Sequence, residues 1–181
     1  MPRLIFDIET DGLAPTQVWV IVTKDIDYGT VTTYVEGEWH DFNEAIKEAE
    51  EVIGHNIMGY DIPACERLLG TDFSGLKITD TLVMSRLANP QRDGHSLAYW
   101  GEQLGYPKGD YEDWSQYTPE MVVYCKQDVS VNEQVYKALV SELDSFGDES
   151  LLLEHGVQNI IQKQIRNGWL LDQTKARDLV A

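Results

Sequence analysis

The segment Leu4-Ile5-Phe6-Asp7-Ile8-Glu9-Thr10 decides how the rest of the chain is interpreted. A short apolar run followed by Thr10-Asp11-Gly12 is typical of a β-strand that ends in a turn. Because side chains alternate along a strand, Asp7 and Glu9 share one face, roughly 6–7 Å apart. Two carboxylates on an apolar strand are costly unless something compensates them. Either the polar end of the strand emerges into solvent, or the pair binds a divalent metal ion.

The composition indicates a folded protein of about one domain. The chain has 181 residues, of which 43% are hydrophobic. It has neither a signal peptide nor an apolar run near the roughly 18 residues of a membrane span. Cys65 and Cys125 are far apart and form no CxxC pattern, which fits a reduced environment and argues against a cysteine-based zinc site. We therefore expect a cytoplasmic protein without a membrane partner.

The charge is strongly negative, with 14 basic and 31 acidic residues and a net charge of −17. Such a surface repels nucleic acid, whose affinity comes largely from phosphate neutralisation by lysine and arginine. The objection weakens if divalent cations supply the local positive charge and only a few terminal nucleotides are bound.

The order of predicted elements indicates an α/β fold. Two β-rich runs, Gln17–Thr23 and Thr30–Val35, flank a turn at Asp25–Gly29, which predicts an antiparallel three-stranded start. Predicted helices and short strands then alternate: helices at 41–51, 61–69, 80–87, 96–104 and 119–143, and strands at 52–56 and 77–79. Asp41 is expected to cap the first of these helices. We expect a mixed central sheet flanked by helices.

The end of the chain has a different character. After a polar break at 144–150, residues 151–166 predict an amphipathic helix, and another helix begins after Asp172 and reaches Ala181. We therefore expect a main domain at 1–147 and a helical tail at 148–181, after which a further domain would begin.

A second candidate site follows the predicted strand at 52–56, in His55-Asn56-Ile57-Met58-Gly59-Tyr60-Asp61. Asp61 can cap the next helix, or it can serve a site at the carboxyl end of the strand. Asn56 can bind a substrate sugar or hold the turn. We interpret His55 as structural.

A third candidate lies within the long helix at 119–143. A spacing of four places Tyr124 and Asp128 on one helix face, which they share with Met121 and Val135. Asp128 therefore sits where a core residue is expected, and it either reaches water at the edge or has a partner. Together, Asp7, Glu9 and the acids of the other two segments could converge. Oxygen ligands alone favour Mg²⁺ or Mn²⁺, and two such ions suit displacement at a phosphodiester.

The three segments resemble the three motifs of the DnaQ-like 3′–5′ exonucleases. These are Asp-x-Glu on the first strand, Asn-x3-Tyr-Asp, and Tyr-x3-Asp on a late helix. Val123 stands where the histidine subclass has its His, so the chain resembles the tyrosine (DEDDy) subclass. The segments 80–87, 95–101 and 165–172 also resemble the proofreading domain of bacteriophage family A DNA polymerases and its linker. No fingers, palm or thumb follow, so we expect no polymerase activity in this chain.

The resemblance implies a ribonuclease H-like fold and a 3′–5′ exonuclease at 1–147 that removes 5′-mononucleotides from single-stranded or frayed DNA ends. It also implies that the protein would act in the host cytoplasm if it is phage-encoded, as a monomer or with a polymerase domain. The implied roles are two Mg²⁺ or Mn²⁺ ions bound by Asp7, Glu9, Asp61 and Asp128, an attacking water oriented by Tyr124, and substrate contacts from Thr10, Leu13 and Asn56.

Other interpretations stay open at this level. The chain could be an exoribonuclease of the same superfamily or a catalytically idle module that binds strand ends or a polymerase. It could also be an acidic structural protein. Asp80 is interpreted as a helix cap and His95 as structural.

Overall fold

The computed structural model describes residues 1–180, which form a mixed sheet covered by helices. The strands are β1 (Arg3–Thr10), β2 (Val18–Asp25), β3 (Val31–Val35), β4 (Glu51–Gly54) and β5 (Lys77–Asp80). The helices are α1 (Trp39–Glu48), α2 (Asp61–Leu69), α3 (Thr81–Ala88), α4 (Leu97–Leu104), α5 (Pro119–Glu142), α6 (Asp148–Asn167) and α7 (Gln173–Asp178). Within residues 1–180, no helix combines the length and apolar character that crossing a bilayer requires.

The sheet has the strand order β3-β2-β1-β4-β5, so β1 lies at its centre. The pairs β1–β2 and β2–β3 are antiparallel, whereas β1–β4 and β4–β5 are parallel. The predicted mixed sheet with a three-stranded antiparallel start is therefore confirmed. The pairing of β1 with β2 shifts register between Glu9 and Thr10, one residue before the end of the central strand.

The two faces of β1 belong to different cores, as the alternation of its side chains requires. Leu4, Phe6 and Ile8 face α1 and α2 and pack in a cluster of buried apolar side chains. On the opposite face, Ile5 packs against residues of α5 that include Met121. The carboxylates of β1 therefore lie on the side of the sheet that α5 covers.

Several helix boundaries differ from the predicted ones. The structure starts α1 at Trp39, so Asp41 lies in the first turn, and the prediction that Asp41 is the N-cap is wrong. The same helix ends at Glu48 rather than at residue 51, because Ala49 is extended and Glu51 pairs with Arg3 as part of β4. The predicted starts and ends of α2, α4 and α5 agree with the structure to within one residue.

The tail helix α6 begins three residues earlier than predicted, at Asp148. Gly147 precedes it, and the acidic side chains of Asp148 and Glu149 lie in its first turn, where they interact favourably with the helix dipole. None of its residues is fully buried, although Leu151 packs against the core cluster that includes Met84 and Leu143. The division into 1–147 and 148–181 stays a prediction, and Ala181 lies outside the described residues.

Candidate active site

The acid pair of β1 lies beneath α5, close to the end of the strand. Glu9 is 7% exposed, and its Oε1 atom has no hydrogen-bond partner in the described structure. Asp7 keeps more contact with solvent, and the Cys125 thiol lies 3.4 Å from its carbonyl oxygen and 3.5 Å from its Oδ2 atom. The pair is thus enclosed by protein, and the interpretation that it simply emerges into water is wrong.

Asp61 reaches the same strand from the other side of the sheet. It is the first residue of α2, and Tyr60 occupies the N-cap position, so the capping alternative does not hold. The Asp61 Oδ1 atom instead accepts a hydrogen bond of 3.2 Å from the backbone N–H of Ile8. This bond joins the start of α2 to the strand that carries Asp7 and Glu9.

Asp128 completes the set of four acids, and it has a partner that the sequence did not indicate. Its side chain is buried on α5, and its Oδ2 atom lies 2.6 Å from the Lys108 ammonium group. The same ammonium group lies 4.9 Å from the centroid of the Tyr124 ring. The Asp128 Oδ1 atom has no hydrogen-bond partner in the described structure. Lys108 is the one basic residue of the 105–116 loop, which is the signal that could have drawn attention to it.

The four acids disfavour one another's ionised forms. Burial raises the pKa of Asp7 well above its ordinary value, and the charges of Glu9, Asp61 and Asp128 raise it further. Burial, with the Asp128 charge next, raises the pKa of Glu9 to about 8. Burial likewise raises the pKa of Asp61 to about 7 and that of Asp128 above its ordinary value. Without a compensating cation, the site cannot hold four negative charges near neutral pH.

The donor set suits hard divalent cations. Carboxylate oxygens are the ligands that Mg²⁺ and Mn²⁺ prefer, and the unpartnered oxygens of Glu9 and Asp128 are available to them. Lys108 already places one positive charge there. The ligand atoms of Asp7, Glu9 and Cys125 lie within 4.8 Å of one another, but burial raises the pKa of the Cys125 thiol, which favours its protonated form. We therefore regard Cys125 as a hydrogen-bond donor to Asp7.

A cavity of about 340 Å³, here called the aromatic cavity, is lined by Asp7, Glu9 and Asp128, whereas Asp61 lies behind its wall. Two of the predicted substrate residues, Thr10 and Leu13, line it, and Leu13 is 95% exposed at its rim. Tyr60 also lines it, and its hydroxyl contacts the Thr10 hydroxyl and donates to the Gly12 carbonyl at 2.7 Å. Tyr60 thus fixes the turn after β1, a role that the sequence analysis did not assign.

The far wall of the aromatic cavity comes from the loop between α4 and α5. The Trp114 ring lies 5.6 Å from that of Tyr124, and the Tyr111 ring contacts both. The Trp19 indole N–H on β2 donates to the Trp114 carbonyl at 3.0 Å, which ties this loop to the sheet. Tyr124 therefore lines the cavity and packs against two aromatic side chains of this loop, and its predicted role stays a prediction.

A second cavity, of about 720 Å³, is here called the cationic cavity because the basic side chains of Arg86 and Lys108 line it. It shares Asp7, Lys108 and Asp128 with the first cavity. Asn56 lines this cavity, so it does not share a wall with Thr10 and Leu13. It has a left-handed backbone with φ of 63°, and its N–H donates to Asp80 Oδ1 at 2.8 Å.

Three residues that the sequence analysis interpreted as structural lie beside the cationic cavity. Asp80 caps α3 through the N–H of Leu82, which confirms its predicted role. The His95 ring lies 2.8 Å from the Ser85 hydroxyl. Burial lowers the pKa of His55 to about 4, so this imidazole is neutral near pH 7, in agreement with a structural role.

Comparisons with known proteins agree with this geometry. No protein-family model matches the sequence. The chain is 28% identical to the DNA-directed DNA polymerases of Enterobacteria phage T3 and Escherichia phage T7, over 96% of this chain and 34% of each polymerase. It therefore spans about a third of the length of these curated relatives.

Solved nuclease structures share the fold. A nuclease in its apo form superposes with a TM-score of 0.70 at 22% identity and covers 93% of this chain and 86% of its own. Brucella melitensis NrnC with bound Mg²⁺ superposes with a TM-score of 0.66 at 18% identity. The match covers 90% of this chain and 83% of the NrnC chain. The family B DNA polymerase of Pyrobaculum calidifontis superposes with a TM-score of 0.55 at 18% identity. The match covers 79% of this chain and 24% of the polymerase chain.

These similarities define the class of the fold. The chain has the mixed α/β architecture of ribonuclease H-like nucleases, which confirms the predicted fold. Its sequence resembles bacteriophage DNA polymerases along nearly its whole length, which confirms the resemblance found in the motifs.

Proposed function

We propose that this chain is a metal-dependent 3′–5′ exonuclease that removes nucleoside 5′-monophosphates from DNA 3′ ends. The observation that carries the proposal is that Asp7, Glu9 and Asp128 line a cavity with aromatic walls and that two of these carboxylates have unpartnered buried oxygens. Asp61 of α2 lies close enough for its charge to raise the pKa of Asp7. The similarity to phage DNA polymerases and the nuclease fold support it.

The reaction would be hydrolysis of the terminal phosphodiester. A water oxygen attacks the phosphorus atom, and the bond from phosphorus to the 3′ oxygen of the preceding nucleotide breaks. The shortened strand keeps that oxygen as its new 3′-hydroxyl, and the released mononucleotide carries the 5′-phosphate. Two Mg²⁺ or Mn²⁺ ions held by Asp7, Glu9, Asp61 and Asp128 would make the attacking water more acidic and neutralise charge on the phosphate.

The other residues of the site hold the reacting groups in place. Leu13, Thr10 and Trp114 line the aromatic cavity and would contact the terminal nucleoside. Tyr124, whose ring packs against Trp114, would orient the attacking water. Tyr60 would act indirectly, because its hydroxyl holds the turn that carries Leu13.

The partners follow from the same comparisons. We infer that the substrate is a single-stranded or frayed 3′ end and that the chain works with a polymerase domain or subunit, because its relatives are polymerases of which it matches about a third. A monomeric state and a cytoplasmic location stay predictions.

The decisive experiment uses 3′-labelled single-stranded DNA with Mg²⁺ or Mn²⁺ and matched RNA of the same sequence. We expect mononucleotides from DNA with the wild type and none with the double variant Asp7→Ala, Glu9→Ala. A control double variant, Glu66→Ala with Glu102→Ala, removes two exposed carboxylates and should keep full activity. Equal activity of the Asp7 and Glu9 double variant would overturn the proposal, and faster cleavage of RNA would point to an exoribonuclease.

A further inference from the structure

We propose that the cationic cavity binds the phosphates of the nucleotides that precede the terminal one, and that Arg86 on α3 is the residue that holds the first of them. The inference rests on the proposed function and deepens it, because it assigns the path of the DNA strand away from the metal-binding acids. Arg86 lies in the 80–87 segment that contributes to the family resemblance, but the sequence alone assigned it no role.

The two cavities adjoin, so a DNA strand can pass from one to the other. They meet at Asp7, Lys108 and Asp128, where the scissile phosphate would lie. The aromatic cavity has the apolar and aromatic walls that suit one nucleoside, and the cationic cavity has about twice its volume. A strand whose last nucleoside fills the first cavity therefore continues into the second.

The cationic cavity contains an arginine that is free to bind a phosphate. Its lining holds two basic side chains, Arg86 and Lys108, against two acidic ones, Asp7 and Asp128, so its formal charges balance in a chain of net charge −17. Because Lys108 is paired with Asp128, Arg86 is the basic group that remains for a phosphate. Arg86 is exposed and forms no ion pair in the described part of the chain. By contrast, many other basic side chains are paired with carboxylates, including Arg3, Lys24, Lys47, Lys77, Arg92, Lys137 and Lys175. A free guanidinium group beside the acids is the group that binds phosphate best, through paired hydrogen bonds.

The surroundings of Arg86 are held in place before any substrate binds. Ser85, its neighbour on α3, accepts a hydrogen bond from the Trp100 indole at 2.9 Å and contacts the His95 ring. Across the cavity, Asp80 accepts hydrogen bonds from the backbone N–H groups of Asn56 and Met58. Hydrogen bonds therefore fix the positions of residues on both sides of the cavity.

The test compares substrates with and without an upstream phosphate. The minimal substrate is the p-nitrophenyl ester of thymidine 5′-monophosphate, in which p-nitrophenol replaces the preceding nucleotide. The second is a short thymidine oligonucleotide, and the third is the same oligonucleotide with a neutral methylphosphonate at the linkage before the scissile one. KM and kcat are measured for the wild type, Arg86→Gln and Arg86→Lys.

We expect Arg86→Gln to raise KM for the normal oligonucleotide about tenfold, as the loss of one charge-assisted hydrogen bond predicts, and to leave kcat unchanged. The same variant should cleave the p-nitrophenyl ester with the KM and kcat of the wild type. In this variant, the methylphosphonate oligonucleotide should have the same KM as the normal oligonucleotide. Arg86→Lys should restore part of the affinity. The slope of log KM against log salt should fall by about 0.7 for one lost phosphate contact on a single strand.

The control variant Lys126→Gln removes an equal charge from an exposed position on α5 and should behave as the wild type. An unchanged KM of Arg86→Gln for the oligonucleotide would overturn the inference, and so would an equal loss on the ester, because Arg86 would then act on the reaction or on the fold. If the wild type cleaves neither the ester nor the oligonucleotide, the proposed function itself fails.

Discussion

Replacing Glu9 by glutamine should stabilise the metal-free protein although it removes a metal ligand. The Glu9 side chain is 7% exposed, and burial together with the Asp128 charge raises its pKa from 4.5 to about 8. Glutamine has nearly the same shape and no charge to desolvate. Its amide group can donate to the unpartnered Oδ1 atom of Asp128 or to the neighbouring Asp7 carboxyl.

The size of the effect follows from the proton balance of Glu9. Below pH 4.5 the carboxyl group is protonated in both the folded and the unfolded chain, so it does not change the free energy of unfolding. Between pH 4.5 and 8 the unfolded chain is ionised and the folded one is not, so stability falls by about 1.36 kcal/mol for each pH unit. At pH 7 the total loss is about 3 kcal/mol.

The assay is urea unfolding in the presence of a metal chelator, at pH 5 and pH 7, for the wild type and Glu9→Gln. We expect the variant to be about 3 kcal/mol more stable than the wild type at pH 7, with a much smaller difference at pH 5. Glu102→Gln, which changes an exposed carboxylate, is the matched control and should show no such difference. A Glu9→Gln variant that is less stable than the wild type at pH 7 would refute the reasoning.

Two further substitutions test the site, and a third tests the packing of the strand β4 beside it. Lys108→Met removes the ammonium group that competes for Asp128, so Mn²⁺ affinity measured by calorimetry should rise about tenfold; weaker binding would contradict this. Tyr124→Phe should lower the rate constant of cleavage in single-turnover assays about 100-fold and leave Mn²⁺ affinity unchanged. Gly54→Ala should cost about 3 kcal/mol in urea unfolding, because the new Cβ would lie 1.7 Å from the Ile57 Cγ2 atom; an unchanged stability would contradict the packing.

The strands and the acid positions could be predicted because they depend on local patterns. Alternation along β1 already separates Phe6 from Asp7. In the structure Phe6 packs in the core on one face of the sheet, and Asp7 shares the other face with Ile5, which packs in the second core. The four-residue spacing on α5 likewise places Asp128 on a buried face. Both patterns act over a few residues, so no tertiary information is needed to read them.

The contacts made by loops could not be predicted in the same way. Lys108 reaches Asp128 only because the loop between α4 and α5 folds back over α5, and Trp114 reaches the cavity through a hydrogen bond with a strand about 95 residues away in the chain. The early start of α6 has another cause. The three residues by which it precedes the predicted start, Asp148 to Ser150, are polar, so no apolar spacing marks them as helical.

The raised pKa values connect the stability of this protein to its proposed chemistry. Four carboxylates with ordinary pKa values would gain little stability from a bound cation. In this site, burial and mutual repulsion disfavour the ionised forms. A divalent cation at a concentration of about 100 times its Kd adds about 2.7 kcal/mol to the stability of the folded state. The arrangement that destabilises the metal-free site is therefore the same one that would make it bind and use the cation.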